Sequence, residues 1–221
     1  MNHLPQRRHY LAVFFVSLAL LMLEITVARI LTVALYSHYA FVAISLAMFG
    51  LGLSGLVVYL MPKRFPAERV DEQLTTFLSL FGLTAAVSVL TFLHINVLQE
   101  ISLAGLASLG LAYAVRTIPF FFGGICISLL MTHFSSRIAS IYYADLVGAS
   151  LGCLGVVTAL GLLPAPQVAV VIAAVASLTA LVVAIGAGRR TSLAAGSTVI
   201  VGVLLALSFT TDLYTMTYVK K

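Results

Sequence analysis

The stretch that decides the fold is YLAVFFVSLALLMLEITVARILTVAL, residues Tyr10–Leu35. The three polar residues YSH (36–38) follow it, and a second apolar run, YAFVAISLAMFGLGLSGLVVYLM, then occupies Tyr39–Met61. About 20 predominantly apolar residues are enough for a helix to cross a bilayer, so each run is long enough to cross once. The short polar connection between the two runs predicts a membrane hairpin.

The composition of the whole chain is typical of a membrane protein. Of the 221 residues, 62% are hydrophobic and 9% are charged, whereas a soluble domain carries about 25% charged residues. A water-soluble fold is therefore excluded for most of the chain. We predict an all-α fold in which residues 1–221 form a single transmembrane domain, a bundle of about seven transmembrane helices. The predicted helices are Tyr10–Leu35, Tyr39–Met61, Leu74–His94, Leu103–Met131, Tyr143–Leu163, Val168–Ala187 and Leu193–Thr210.

The basic residues of the connections predict the orientation. Lys and Arg occur at the N-terminus and in every second connection, and cytoplasmic loops are the ones that carry an excess of these residues. We therefore expect a multi-pass plasma-membrane protein with its N-terminus in the cytoplasm and, after seven crossings, its C-terminus outside. If the seventh segment, which is short and rich in Ser and Thr, does not cross, the C-terminus is cytoplasmic. The positive charges do not cluster as a nucleic-acid surface requires, so the lipid bilayer is an expected partner and nucleic acid is not. The residues that set the orientation are Arg7, Arg8, Lys63, Arg64, Arg69, Arg137, Arg189 and Arg190.

Four charged residues lie inside the apolar runs, where a charge costs at least a few kcal/mol and is rarely kept without a partner or a function. They are Glu24, Arg29, Arg116 and Asp145. At 1.5 Å per residue, Glu24 lies about 16 Å below the outer end of its helix, and Arg116 lies about 15 Å below Leu106, near the outer end of the fourth helix. We therefore predict a Glu24–Arg116 ion pair inside the bundle. The pair is either a structural link between the two helices or part of a site for a ligand or ion.

The other polar candidates each have two interpretations. Arg29 lies nearer the outer face, where its side chain can extend to the membrane surface or meet Tyr36 or His38. Asp145 lies in the predicted first turn of the fifth helix, so its carboxylate either caps that turn or contributes to a binding site. His38 and Tyr39 are predicted to be polar residues of the outer face.

Glycines mark the expected close contacts between helices. Small residues spaced four apart allow two helix backbones to approach closely within a membrane. The GxGxxG spacing in the second helix follows no strand and lies in mid-membrane, so we do not interpret it as a nucleotide-binding loop. The expected packing residues are Gly50, Gly52, Gly55, Gly148, Gly152 and Gly155.

Several blocks of the sequence resemble one protein family. LEITVARI (23–30), YSHYAFVAISLA (36–47), GLGLSG (50–55), PFFFGG (119–124) and YYADLVGASLG (142–152) are similar to the membrane region of bacterial membrane-bound spermidine synthase-like proteins. The resemblance covers nearly the whole chain and implies a location in the bacterial inner membrane. In that family an aminopropyltransferase domain follows the membrane region, and here the chain stops about where that domain would begin. The resemblance therefore supplies no catalytic residue.

Two functions are compatible with these features. The first is an integral membrane domain acting as an anchor or assembly subunit, similar to the membrane half of the synthase-like proteins, with other protein subunits or a separate soluble domain as partners. The alternative is a small transporter or binding domain for a cationic, polyamine-like solute that uses Glu24, Arg29, Arg116 and Asp145. Beyond these two functions, an integral-membrane enzyme is a third option, but the catalytic domain of the resembling family is absent, so we do not expect the chain to be an enzyme on its own. No residues have the spacing of a metal site or a catalytic set, so neither a metal nor a cofactor is expected.

Overall fold

The computed structural model describes residues 4–34, 39–94, 103–188 and 192–210. These residues form seven long helices joined by short turns and contain no β-strand, which confirms the predicted all-α fold. Single 3₁₀ turns at Pro62–Arg64, Ala67–Arg69 and Ser135–Arg137 lead into the third and fifth helices. The helices are α1 (Arg7–Ala34), α2 (Tyr39–Leu60), α3 (Val70–His94), α4 (Leu103–His133), α5 (Ile138–Leu162), α6 (Ala165–Gly186) and α7 (Ser192–Thr210).

All seven helices are long enough and apolar enough to cross a membrane. The protein is therefore a multi-pass membrane protein, as the sequence predicted. The observed helices differ from the predicted spans mainly at their first residues. α3 begins at Val70 rather than Leu74, and α5 begins at Ile138 rather than Tyr143. Hydropathy marks the part of a helix that lies in lipid, whereas backbone hydrogen bonding continues into the polar residues at the membrane surface.

The helices form an inner group and an outer group. α1, α3, α4 and α6 make most of the interior, whose fully buried side chains include Leu23, Phe81, Phe120 and Ile172. α2, α5 and α7 lie at the periphery and expose most of their apolar surface. In a bilayer that exposed surface meets acyl chains, because lipid is as good a solvent for Leu and Val as another helix is.

The contact between α1 and α5 is the most extensive in the bundle, and glycines form its centre. A Cβ atom at Gly148 would overlap the carbonyl oxygen of Phe14, and one at Gly152 would lie 2.7 Å from the carbonyl oxygen of Leu18. The two backbones therefore touch directly. Positions on α1 and α5 advance together along this contact, so the two helices run parallel.

The remaining predicted packing glycines divide into three groups. A Cβ at Gly50 would lie 2.9 Å from both the Phe120 Cβ and the Thr117 carbonyl oxygen, so α2 approaches α4 closely at this point. Gly55 and Gly155 have ordinary contacts with neighbouring side chains, and Gly52 faces open space. Gly52 therefore has no packing role between the described helices.

We expect the substitution Gly148→Ala to destabilise the protein by about 1–3 kcal/mol, which is the usual cost of extra atoms in a packed contact. The added methyl group meets the backbone of α1, which cannot move away as a side chain can. Thermal unfolding in detergent, followed by the loss of helical circular dichroism, measures the effect.

Gly161→Ala is the matched control, because Gly161 lies on the same helix and a Cβ there meets nothing within 4 Å. The control should leave stability unchanged or raise it slightly, since Ala favours a helix more than Gly does. Equal behaviour of the two variants would contradict the close approach of α5 to α1.

Candidate functional site

A serine and a glutamate lie along one side of α1. Ser17 and Glu24 are seven residues apart on this helix, a separation that returns a side chain to nearly the same face about 10 Å further along the axis. The Ser17 hydroxyl donates a hydrogen bond to Oδ1 of Asp145 on α5. Ser17, Glu24 and Asp145 therefore share one side of the α1–α5 pair, and we call them the acidic strip.

Both carboxylates of the acidic strip are partly buried inside the span. Glu24 and Asp145 have intermediate exposure. Neither forms an ion pair with any other residue that the structure describes, and the Ser17 hydroxyl is the hydrogen-bond partner of Asp145. A carboxylate at membrane depth is costly unless a proton, a cation or a basic side chain compensates it. The acidic strip is therefore suited to accept a cationic group.

The predicted Glu24–Arg116 ion pair is not formed. Contact between the His9 and Phe134 rings places the start of α1 beside the end of α4, so these helices run in opposite directions. Side chains lean toward the N-terminus of their own helix. The side chains of Glu24 and Arg116 therefore point toward opposite ends of the bundle. Two backbones at equal depth then place the carboxylate and the guanidinium at different depths.

The two arginines of the predicted site, Arg116 and Arg29, lie in different parts of the bundle. Arg116 is 3% exposed and lies one turn after Tyr113 on α4. Arg29 is exposed on the surface of α1, where its guanidinium can extend toward the interface. Tyr36 and His38 lie outside the described residues, as does the side chain of Tyr39. The structure therefore places neither arginine in the acidic strip.

Asp145 does not occupy the first turn of its helix, which corrects the capping interpretation. α5 begins at Ile138, so Asp145 is its eighth residue, and no acidic residue lies in the first turn. The sequence placed the helix start at Tyr143 because the preceding residues are less apolar. With the true start about one and a half turns earlier, the carboxylate lies well inside α5 and cannot reach the free N–H groups of its first turn.

A second polar cluster, which the sequence analysis missed, joins the helices at one end of the bundle. Arg8 donates from Nε to Oδ1 of Asp71 at 3.1 Å and from Nη2 to Oδ2 at 2.8 Å. Its Nη1 also donates to the carbonyl oxygen of Gly186, which ends α6. This two-point geometry is the strong form of a carboxylate–guanidinium pair. We call Arg8, His9 and Asp71 the end clamp.

His9 completes the end clamp. Its Nδ1 accepts a hydrogen bond from the backbone N–H of Gln6 at 2.9 Å, and its Nε2 lies 2.8 Å from Oδ1 of Asp71. With Nδ1 as an acceptor, Nε2 carries the hydrogen and donates it to the carboxylate. The His9 ring also packs against Phe134, with 4.6 Å between ring centroids. The end clamp therefore connects α1, α3, α6 and the segment that follows α4.

The sequence contained one signal for this cluster. Asp71 lies in the first turn of α3, and the basic-residue count places the starts of α1 and α3 at the same side of the membrane. A carboxylate and two basic side chains at one surface are candidates for pairing, although sequence alone does not say that α1 and α3 approach each other there.

We expect Arg8 and Asp71 to show an energetic coupling of about 1–3 kcal/mol in a double-mutant cycle. The cycle compares Arg8→Gln, Asp71→Asn and the double variant by thermal or denaturant unfolding of the full chain in detergent. Each single change removes the same two hydrogen bonds, so the double variant should lose much less stability than the sum. Additive effects within about 0.5 kcal/mol would contradict the pairing.

The described residues contain no group of three His, Cys, Asp or Glu side chains that could hold a metal ion. Comparison with known proteins gave no matching family model, no similar curated protein and no similar solved structure. The acidic strip and the end clamp are therefore the structural basis for assigning a function. Of the two, the end clamp is internally paired, and the acidic strip has carboxylate oxygens available to a ligand.

Proposed function

We propose that the protein is a membrane-embedded binding or transport domain for a cationic, polyamine-like solute, with Glu24 and Asp145 as its carboxylates. One observation carries the proposal. Two acidic side chains lie on one side of the α1–α5 pair, inside the span, and neither is paired with a basic side chain among the described residues. Asp71, by contrast, has its charge balanced within the protein by Arg8.

The chemistry of a linear polyamine matches this arrangement. Its ammonium groups are separated by short methylene chains, so it offers alternating charged and apolar segments. Along α1, Ser17 and Glu24 are separated by about 10 Å, and Leu21 and Met22 lie between them on the sequence. Glu24 and the Asp145 carboxylate bound by Ser17 can each hold one ammonium group while the methylene chain between them lies against apolar side chains.

The proposal extends to the orientation and location of the protein. We propose a bacterial inner-membrane protein with its N-terminus in the cytoplasm and its C-terminus outside. The sequence resemblance to spermidine synthase-like membrane regions supports this location and the class of solute. The end clamp supports the alternation of the helices, because it gathers the starts of α1 and α3 with the end of α6 at one surface.

The second candidate is an anchor or assembly subunit that binds other protein subunits or a separate soluble domain. The exposed face of α2 favours it. Gly52 lies in the middle of this helix with open space around it, beside the exposed side chains of Met48, Phe49 and Leu56. Glycine destabilises a helix interior relative to alanine, and close approach of another helix is the usual compensation in a membrane.

For the second candidate we expect Gly52→Leu to abolish assembly with a second membrane chain while leaving the fold of the monomer unchanged. The measurement is chemical cross-linking in native membranes, with Gly196→Leu as the control at another open glycine. A cross-linking pattern that is the same in the parent chain and both variants would eliminate α2 as an assembly face.

For the leading proposal we expect Glu24→Gln and Asp145→Asn each to weaken spermidine binding by at least about tenfold, because each removes one charge partner of the ligand, worth about 1.4 kcal/mol or more. The measurement is equilibrium binding of radiolabelled spermidine to the full chain in lipid nanodiscs. Ser17→Ala should weaken binding less, since it loosens Asp145 without removing its charge.

Glu68→Gln is the matched control, because Glu68 is an exposed carboxylate of the turn before α3 and should not affect binding. Thermal unfolding of each variant separates binding from folding. Loss of binding with an intact fold supports the proposal. If the parent chain does not bind spermidine, the solute-binding proposal fails. If, in addition, Glu24→Gln unfolds the protein, the carboxylates are structural.

A further inference from the structure

A pocket of about 890 Å³ lies between α1 and α5 at the end of the bundle where both helices begin. Its wall on α1 includes Arg7, Leu11 and Phe14, and its wall on α5 includes Tyr143 and Val147. Most of the lining is apolar. Leu11 and Tyr143 are exposed at the outer surface of the bundle, so the pocket opens sideways toward the surrounding lipid.

We propose that this α1–α5 pocket binds an anionic phospholipid, with the phosphate beside Arg7 and the upper part of an acyl chain against Phe14 and Val147. Basic pockets between transmembrane helices at the cytoplasmic surface are recognised sites for acidic headgroups. The pocket is a separate feature from the acidic strip, and the inference does not depend on the proposed solute.

The charge of the pocket selects an anion. The residues that line it include Arg7 and no acidic side chain. The neighbouring Arg8 has its charge balanced by Asp71 in the end clamp. Arg7 is exposed and forms no ion pair with another described residue, so its guanidinium is available to a phosphate, which it can bind through two hydrogen bonds.

The dimensions of the pocket match a lipid rather than a small soluble anion. From Arg7 to Phe14 the wall of α1 rises about 10 Å. The first turn of a spanning helix lies in the headgroup layer, and the next turns lie at the level of the upper acyl chains. A ligand that fills the pocket must therefore be charged at one end and apolar along the rest, which is the chemistry of a phospholipid.

Asp145 does not interfere with this site. On α5, Asp145 is two residues from both Tyr143 and Val147, which turns its side chain about 200° away from theirs. The carboxylate that accepts a hydrogen bond from Ser17 therefore lies on the opposite side of α5 from the pocket. Variants of the pocket can be studied without altering the acidic strip.

The absence of tryptophan from the chain allows a single fluorescent reporter to test the site. Tyr143→Trp places an indole in the pocket, and the full chain is reconstituted in vesicles of phosphatidylcholine with a minor fraction of phosphatidylglycerol. Either lipid carries brominated acyl chains, which quench the fluorescence of a tryptophan in contact with them. We expect brominated phosphatidylglycerol to quench with an apparent affinity about fivefold higher than brominated phosphatidylcholine, the preference expected of one basic residue near the surface.

One test variant and two matched controls make the experiment specific. Adding Arg7→Gln to the reporter should abolish the preference for phosphatidylglycerol, whereas adding Arg69→Gln, at an exposed arginine of the turn before α3, should leave it unchanged. Tyr142→Trp, which is exposed but does not line the pocket, should show no preference between the lipids.

Three results would overturn the inference. The first is equal quenching of the Tyr143→Trp reporter by the two lipids. The second is an equal effect of Arg7→Gln and Arg69→Gln, which would show only a general attraction of the protein surface for negative charge. The third is competition by millimolar glycerol 3-phosphate, because a soluble phosphate ester that displaces the lipid would identify a site for free anions.

Discussion

The direct contact of the α1 and α5 backbones is the constraint on which the functional features depend. α5 packs little against any helix other than α1, and its buried residues are Ile141, Gly148, Gly152 and Val156. A hydrophobic effect does not hold two helices together in lipid, so association relies on close packing and interhelical hydrogen bonds. The two glycines provide the packing, and the hydrogen bond between Ser17 and Asp145 lies beside them. The position of every polar group on α5 relative to α1 follows from this contact.

The two polar clusters show how differently a membrane protein can treat a carboxylate. Asp71 lies at the end of the bundle, where the charge of Arg8 and the hydrogen bonds of Arg8 and His9 satisfy both of its oxygens. Such a group stabilises a defined arrangement of helices, and its charge is already balanced within the protein. Glu24 lies deeper, where the cost of a charge is greater, and no basic side chain of the described residues compensates it. The carboxylate with the greater need for a cation is thus the one without a partner inside the described part of the protein.

The fold could be predicted from the sequence because, in a membrane, it follows largely from the positions of the apolar segments along the chain. Apolar length identifies each crossing, and all seven predicted crossings correspond to helices. Apolar length could not predict the first residues of α3 and α5, since a helix continues past the edge of its apolar segment. This error placed Asp145 in the first turn of a helix that actually begins at Ile138. The Glu24–Arg116 prediction failed for a different reason. Depth is readable from residue counts, whereas the direction of a side chain depends on the course of its helix.

The end clamp and the α1–α5 pocket were not predicted because their positions, like side-chain directions, cannot be read from residue counts. Both depend on which helices are neighbours, and hydropathy carries almost no information about neighbours because every apolar face is equally soluble in lipid. The parallel arrangement of α1 and α5 then has a chemical consequence. It brings the starts of both helices to one surface, and the side chains on the two edges of the contact differ. One edge carries the hydroxyl and carboxylate of Ser17 and Asp145, and the other is apolar and ends at Arg7. The two edges lie on opposite sides of α5, so one close helix contact creates two chemically separate features.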